Sequence, residues 1–346
     1  MALGLLWAGG LRPATGDGAA ARVYLDRATG EMVVELAPTD LAAGASHHQV
    51  AQPPVAILEL PASGAIYGFR AEVVDSTGRV LPTALLHHFN LIDPDHRELF
   101  LPISRRLFAA GTETGEIWVP RLLFGMPVTR GERVLASAML ANPTPVSYHH
   151  VRVRLVMAYT PMGRPWPLFH GSPWQLDAAF PVGDKSFDLP PGHSSRSYEG
   201  RPALPGTIVG LGGHMHDEGV LIEFTDVTTG QVIYRAAPER DSGGHLAAIP
   251  VARLYRWNRL GVHIAPDHTY RVAVQYDNPT SHVLADAGMG VVGGLFVPDR
   301  GIVWPAADTT NQLYQEDLRH AMRLGGTGMD MMMGMAHAPG DAHAHH

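Results

Sequence analysis

The sequence predicts an all-β chain, two tandem antiparallel β-sandwich (jelly-roll) domains, and three observations predict it. Apolar segments such as AILEL, IYGFRAEVV, VLASAML, VRVRLVMAY, VLIEF and YRVAVQY are short, β-branched or alternating, and Pro, Gly or Asn separates them. The 38 glycines and 28 prolines are scattered through all 346 residues, as many short strands joined by turns require. Asp-to-Gly turns recur in the hairpin RVYLDRATGEMVVEL, at Asp75–Gly78 and at Asp226–Gly230. In each, Asp caps the turn and Gly supplies a positive φ.

Taken in order, residues 1–20 contain a short apolar core with no basic residue before it, and read as a leader or a signal-peptide remnant. Residues 21–160 form the first sandwich. Three prolines and a glycine between Tyr159 and Pro167 interrupt the strands and mark a boundary. Residues 161–304 form the second sandwich. An internal echo supports the division: a His pair (His87, His88) precedes a strand ending Asn142-Pro-Thr144, and a second pair (His214, His216) precedes one ending Asn278-Pro-Thr280. Helical spacing is scarce before residue 305. Residues 305–325 then place Tyr314, Leu318 and Met322 four apart, stacking them on one face of a short helix. The last segment, 326–346, has five methionines and four histidines in positions 329–346 but no aliphatic mass, so it reads as a disordered tail able to capture copper.

Composition removes several classes. The chain has no cysteine, which excludes disulfides, thiolate metal sites, iron–sulfur clusters and a Cys nucleophile. A net charge of −7 with no run of Lys or Arg argues against nucleic acid as a partner. No apolar run approaches the roughly 20 residues of an integral membrane span.

The chemistry concentrates in LGGHMHDEGV. In a strand His214 and His216 point to one face, and two same-face imidazoles are the smallest common unit of a metal site. Met289, in the polar and glycine-rich ADAGMGVVGG, is the candidate third ligand, and a thioether with two imidazoles selects copper. In LLHHFNL, His87 and His88 face opposite sides of a straight strand, so they serve one metal only if a bulge or a strand end turns them together. Asp217 and Glu218 either orient a ligand imidazole or stand exposed in a loop. His47, His48, His96, His263 and His268 read as loop or turn residues.

The order of these pieces resembles the copper type II, ascorbate-dependent monooxygenases, whose familiar members are peptidylglycine α-hydroxylating monooxygenase and dopamine β-monooxygenase. The likeness covers roughly residues 20–300 through a few short motifs, and it implies two coppers. His87 and His88 belong to an electron-transferring one; His214, His216 and Met289 belong to an oxygen-activating one, with 73 positions between His216 and Met289. The third histidine of the first site has no clear counterpart. Met139 occupies the best-fitting position, with His149 or His150 as substitutes. The implied function is hydroxylation of a C–H bond in a small molecule or peptide with O₂ and an external reductant such as ascorbate. A non-catalytic copper carrier using the same ligands and the tail is the alternative, and a structural or carbohydrate-facing protein with incidental histidines is a third. Hydrolysis at a His-only zinc site ranks below these, since Met is a poor zinc ligand. Copper and the leader together point to an extracytoplasmic location.

Overall fold

The computed structural model describes residues 21–163 and 165–323, so the leader and the Met/His-rich tail lie outside the described residues. The all-β expectation holds. One eight-stranded sheet runs Arg22–Leu25, Met32–Glu35, Tyr148–Pro161, Gly64–Val74, Phe124–Val128, Phe169–His170, with Thr39–Leu41 and Ile117–Trp118 attached at its side. It packs on a four-stranded sheet ordered Ala56–Glu59, Arg133–Leu140, Leu86–Arg97, Ser104–Gly111, and side chains of both sheets form one core. A second core lies between a five-stranded sheet, built mainly from Ser172–Asp177, Gly290–Pro298 and Gly206–Met215, and a four-stranded one ordered Gly192–Gly200, Tyr270–Asn278, Gly219–Asp226, Gln231–Ala236.

The Asp-to-Gly turns form as their residues dictate. Asp26, Asp75 and Asp226 each accept a backbone N–H two residues on, and Gly30, Gly78 and Gly230 have φ of 73°, 85° and 74°. The echo is structural as well. The amide of buried Asn142 donates to the carbonyls of Ala42 and Val146 and accepts from Thr144; that of Asn278 donates to Leu189 and His282 and accepts from Thr280. Each core is thus closed by the same Asn-Pro-Thr knot.

The two lobes are not cleanly sequential. Leu99, Phe100, Leu101 and Ile103, from the first half of the chain, fill the second core. Glu98 secures that crossing: its buried carboxylate accepts the backbone N–H of Leu99 (2.8 Å), Arg106 (3.0 Å) and Gln175 (3.2 Å). The helix, Gln312–Arg323, returns to the first lobe, where Leu318 and Ala321 pack on Ile92 and Leu135. Tyr314 and Leu318 lie inward as the sequence spacing predicts, Asp317 and Ala321 join them on the three-and-four spacing, and only Met322 departs from the expected face by being exposed.

Alternation along the strands positions the site. In Leu86–Arg97, Phe89 and Leu91 enter the first core while His88, Asn90 and Ile92 line the other face. In Arg133–Leu140, Val134, Ala136, Ala138 and Leu140 go inward, leaving Ser137 and Met139 on that same outer face. On the second lobe Leu211 and Met215 go inward, and His214 faces out. The outer faces of these two sheets meet across a shared cavity.

Candidate metal centre

His88, His214 and His216 each offer one nitrogen, and the three atoms all lie within 4.8 Å of one another. The side chains come from both lobes: His88 from Leu86–Arg97, His214 from Gly206–Met215, and His216 from just past the end of that strand. Nε2 of His214 and of His216 are buried with no hydrogen-bond partner among the described residues. Buried polar atoms left bare in this way cost free energy unless something binds them. Two neutral imidazoles converging on a third supply what a metal ion requires.

The opposite ring nitrogens are fixed. His214 Nδ1 lies 2.6 Å from Glu113 Oε1, and His216 Nδ1 donates to the carbonyl of Ala287 at 3.2 Å. Such bonds orient a ligand ring and direct Nε2 to the metal. Glu113 was not legible as a partner, because it stands 101 positions from His214 in an ordinary GTETGE loop. Asp217 does something else: it accepts from Leu246 N–H (2.7 Å) and faces His245 Nδ1 (3.1 Å). Tyr276 also escaped sequence reading. Its hydroxyl accepts the backbone N–H of both His216 and Met289 at 3.0 Å and donates to the Met289 carbonyl, binding the two segments together.

The strand carrying His87 and His88 is bulged. Met139 pairs with His88 and Leu140 with Leu86, so His87 is the extra residue. That irregularity is the device by which adjacent histidines escape opposite faces, and their ring centroids are 4.2 Å apart. His87 stacks on His47 at 4.7 Å, and His47 lies 3.9 Å from His48. His47 and His48, read from sequence as loop residues, therefore stand in the cavity wall, at the end of a row of rings leading to His88. Their signal was absent because a loop has no periodicity to show which way it folds.

Met139 and Met289 line the same cavity of about 410 Å³, together with Glu113, Asp177, Lys185 and His320. The sequence-derived ligands His87, His88, Met139, His214, His216 and Met289 thus all surround one space. The resemblance divides them between two coppers, whereas the closest set of nitrogens joins His88 to His214 and His216. His149 and His150 are elsewhere, beside Asp40 at the surface. His96, His263 and His268 face Asp93, Asp299 and Asp226.

Electrostatics separate the three imidazoles. Burial, reinforced by the neighbouring histidines, holds His216 down at about 4 and His88 well below its ordinary range. Burial acts the same way on His214, but the charge and hydrogen bond of Glu113 outweigh it and raise that ring. Glu113 is pushed up by burial and pulled down further by His214, to about 2. Of the three rings, His214 is therefore the one that keeps its added proton furthest up the pH scale, and a metal binding there has to displace it. Affinity is expected to rise about tenfold per pH unit from about pH 5 up to the raised value of His214, then level off. Calorimetry in buffers of different ionisation enthalpy counts the protons released; a count of two or three excludes this assignment.

No family model and no curated protein matches this chain. Among solved structures, a chain from the atomic structure of Sulfolobus Turreted Icosahedral Virus is 10% identical, with 88% of this chain and 98% of that one covered and a TM-score of 0.36. The infectious bursal disease virus VP2 subviral particle is 13% identical over 85% and 76%, with a TM-score of 0.24. Similarity at that level carries no argument about activity, which rests on the residues around the cavity.

Proposed function

We propose that this protein binds a copper ion between its lobes through His88, His214 and His216, and uses it in redox chemistry on a small molecule. The observation that carries the reading is the convergence of three imidazole nitrogens within 4.8 Å, two of them buried and bare. Three histidines also suit zinc. The thioethers of Met139 and Met289 on the same cavity favour the softer metal, since sulfur stabilises Cu(I) and imidazole accepts either copper state. Copper would supply one-electron exchange and affinity for dioxygen, with ascorbate or a similar donor as the external reductant.

The chain's own groups have distinct tasks in this reading. Glu113 and the Ala287 carbonyl hold the two second-lobe rings, and Tyr276 holds the backbone that bears His216 and Met289. The cavity, about 410 Å³, falls in the range of small-molecule sites, which makes a compact substrate a better fit than a long peptide. The monooxygenase resemblance and an extracytoplasmic setting both accord with copper handled without thiols. A carrier is favoured by one observation, the row of adjacent imidazoles from His48 through His47 and His87 to His88, which offers a metal a path inward.

Anaerobic reconstitution with Cu(I), followed by oxygen uptake with ascorbate, separates the two readings. Redox catalysis predicts reductant-dependent uptake that His216→Ala abolishes and Met289→Ile reduces at least tenfold. Tight copper binding with uptake no faster than free copper selects the carrier. Failure to bind copper removes both.

A further inference from the structure

On the second lobe, away from the histidines, the strand Ala252–Arg253 hydrogen-bonds to Gly210 and Leu211, and the chain then turns back in a tight hairpin. Arg256 and Arg259 close that hairpin with paired backbone hydrogen bonds of 2.7 and 3.1 Å. The turn between them holds Trp257 outward, 97% exposed, and Val251 near the hairpin's base is 66% exposed. A tryptophan that touches almost nothing is costly in water, and here two backbone bonds keep it there. A groove of about 530 Å³ beside it is lined by Arg253, Arg256 and Arg259 and contains no carboxylate.

These arginines make few contacts of their own. Arg259 Nε donates to the Gly261 carbonyl (2.6 Å), and the Arg253 guanidinium lies 5.3 Å from the Tyr255 ring centroid. Among the described residues none of the three has a carboxylate within ion-pair distance, although the whole chain carries −7. Three unpaired positive charges in an acidic protein are a local reversal of sign. They are spaced three apart in RLYRWNR, and the hairpin gathers them on one groove.

We propose that this hairpin docks the protein on an anionic lipid surface, with Trp257 seated at the headgroup level and Arg253, Arg256 and Arg259 facing lipid phosphates. Tryptophan favours the membrane–water boundary because its ring is apolar and its N–H polar, and arginine binds phosphate through a planar fork of donors. The pairing of an outward aromatic with an aliphatic neighbour and a cationic groove fits a bilayer better than single-stranded nucleic acid, which needs successive aromatic platforms. No spanning segment is required, and among the described residues no helix is long and apolar enough to cross a membrane. The proposal is independent of the metal.

The test is co-sedimentation of the full chain with vesicles of phosphatidylcholine alone and with vesicles in which a quarter of the lipid is phosphatidylglycerol. Partitioning onto the anionic vesicles is expected, weakening as salt rises. Arg256→Glu with Arg259→Glu lowers the partition coefficient more than about tenfold, since each basic side chain near such a surface contributes roughly fivefold. Trp257→Ala weakens it severalfold, and both variants keep the circular dichroism and urea midpoint of the parent, which shows that they are folded. Equal partitioning onto both vesicle types, no partitioning, or unaltered binding by both variants overturns the proposal. So does retention by a single-stranded oligonucleotide with none by the vesicles.

Discussion

His88→Ala is expected to weaken Cu(I) binding at the lobe interface by more than about 100-fold, as much as His214→Ala or His216→Ala does. Loss of an outer partner of a metal ligand typically costs 10–100-fold, so loss of a ligand should exceed it. The equality of the three effects is the informative part. If His87 and His88 served one copper and His214 and His216 another, each substitution would empty its own site and leave the other at full strength. In the structure one nitrogen from each of His88, His214 and His216 falls within the same 4.8 Å, although 126 positions (214 − 88) separate the first two. Competition for Cu(I) against a chromophoric chelator measures the affinities. A His88→Ala protein that binds like the parent disproves the three-histidine unit.

Asp317→Ala should cost about 3–5 kcal/mol of stability, the loss typical when one member of a buried ion pair is removed. Asp317 is 1% exposed and takes both guanidinium nitrogens of Arg106, at 2.6 and 2.7 Å. Arg106 also donates to the Ser104 carbonyl, so it cannot swing out to water without breaking a second bond. Without Asp317 a buried guanidinium is left unbalanced beneath the helix. The consequence reaches the cavity, because His320 and Ala321 of that helix line it. Urea unfolding provides the number, and the Arg106→Met, Asp317→Leu double variant should recover part of it by replacing the pair with apolar contact. A loss below about 1 kcal/mol would mean that the helix is held mainly by its apolar contacts with Ile92 and Leu135.

Proximity in the chain decided which features could be read from it. The Asp-to-Gly turns, the first hairpin and the strands around Leu91, Leu135, Val153 and Ile222 follow from alternation and local turn chemistry, which act over a few residues. The two Asn-Pro-Thr knots were visible as an echo for the same reason. The helix was legible as an element and its face in part: Tyr314 and Leu318 turn inward as their spacing implies, whereas Asp317 is drawn inward by Arg106 from 211 positions away and Met322 stays 39% exposed.

The candidate ligands obey the same division. His214 and His216 announce themselves by a spacing of two, and His87 and His88 by adjacency, with the bulge they need supplied by the pairing of Leu140 with Leu86. Which histidines share a centre depends on how two outer sheet faces close on each other, and no local pattern encodes that approach. Glu113, Tyr276, His47 and His48 enter the site through loops and distant strands, so only the tertiary structure could bring them there. By itself the sequence determined the β architecture, the absence of thiol chemistry and the residue types that touch the cavity. Packing between the lobes decided that His88 meets His214 and His216, because a metal site is defined by distances of a few ångströms between atoms that chain order leaves unrelated.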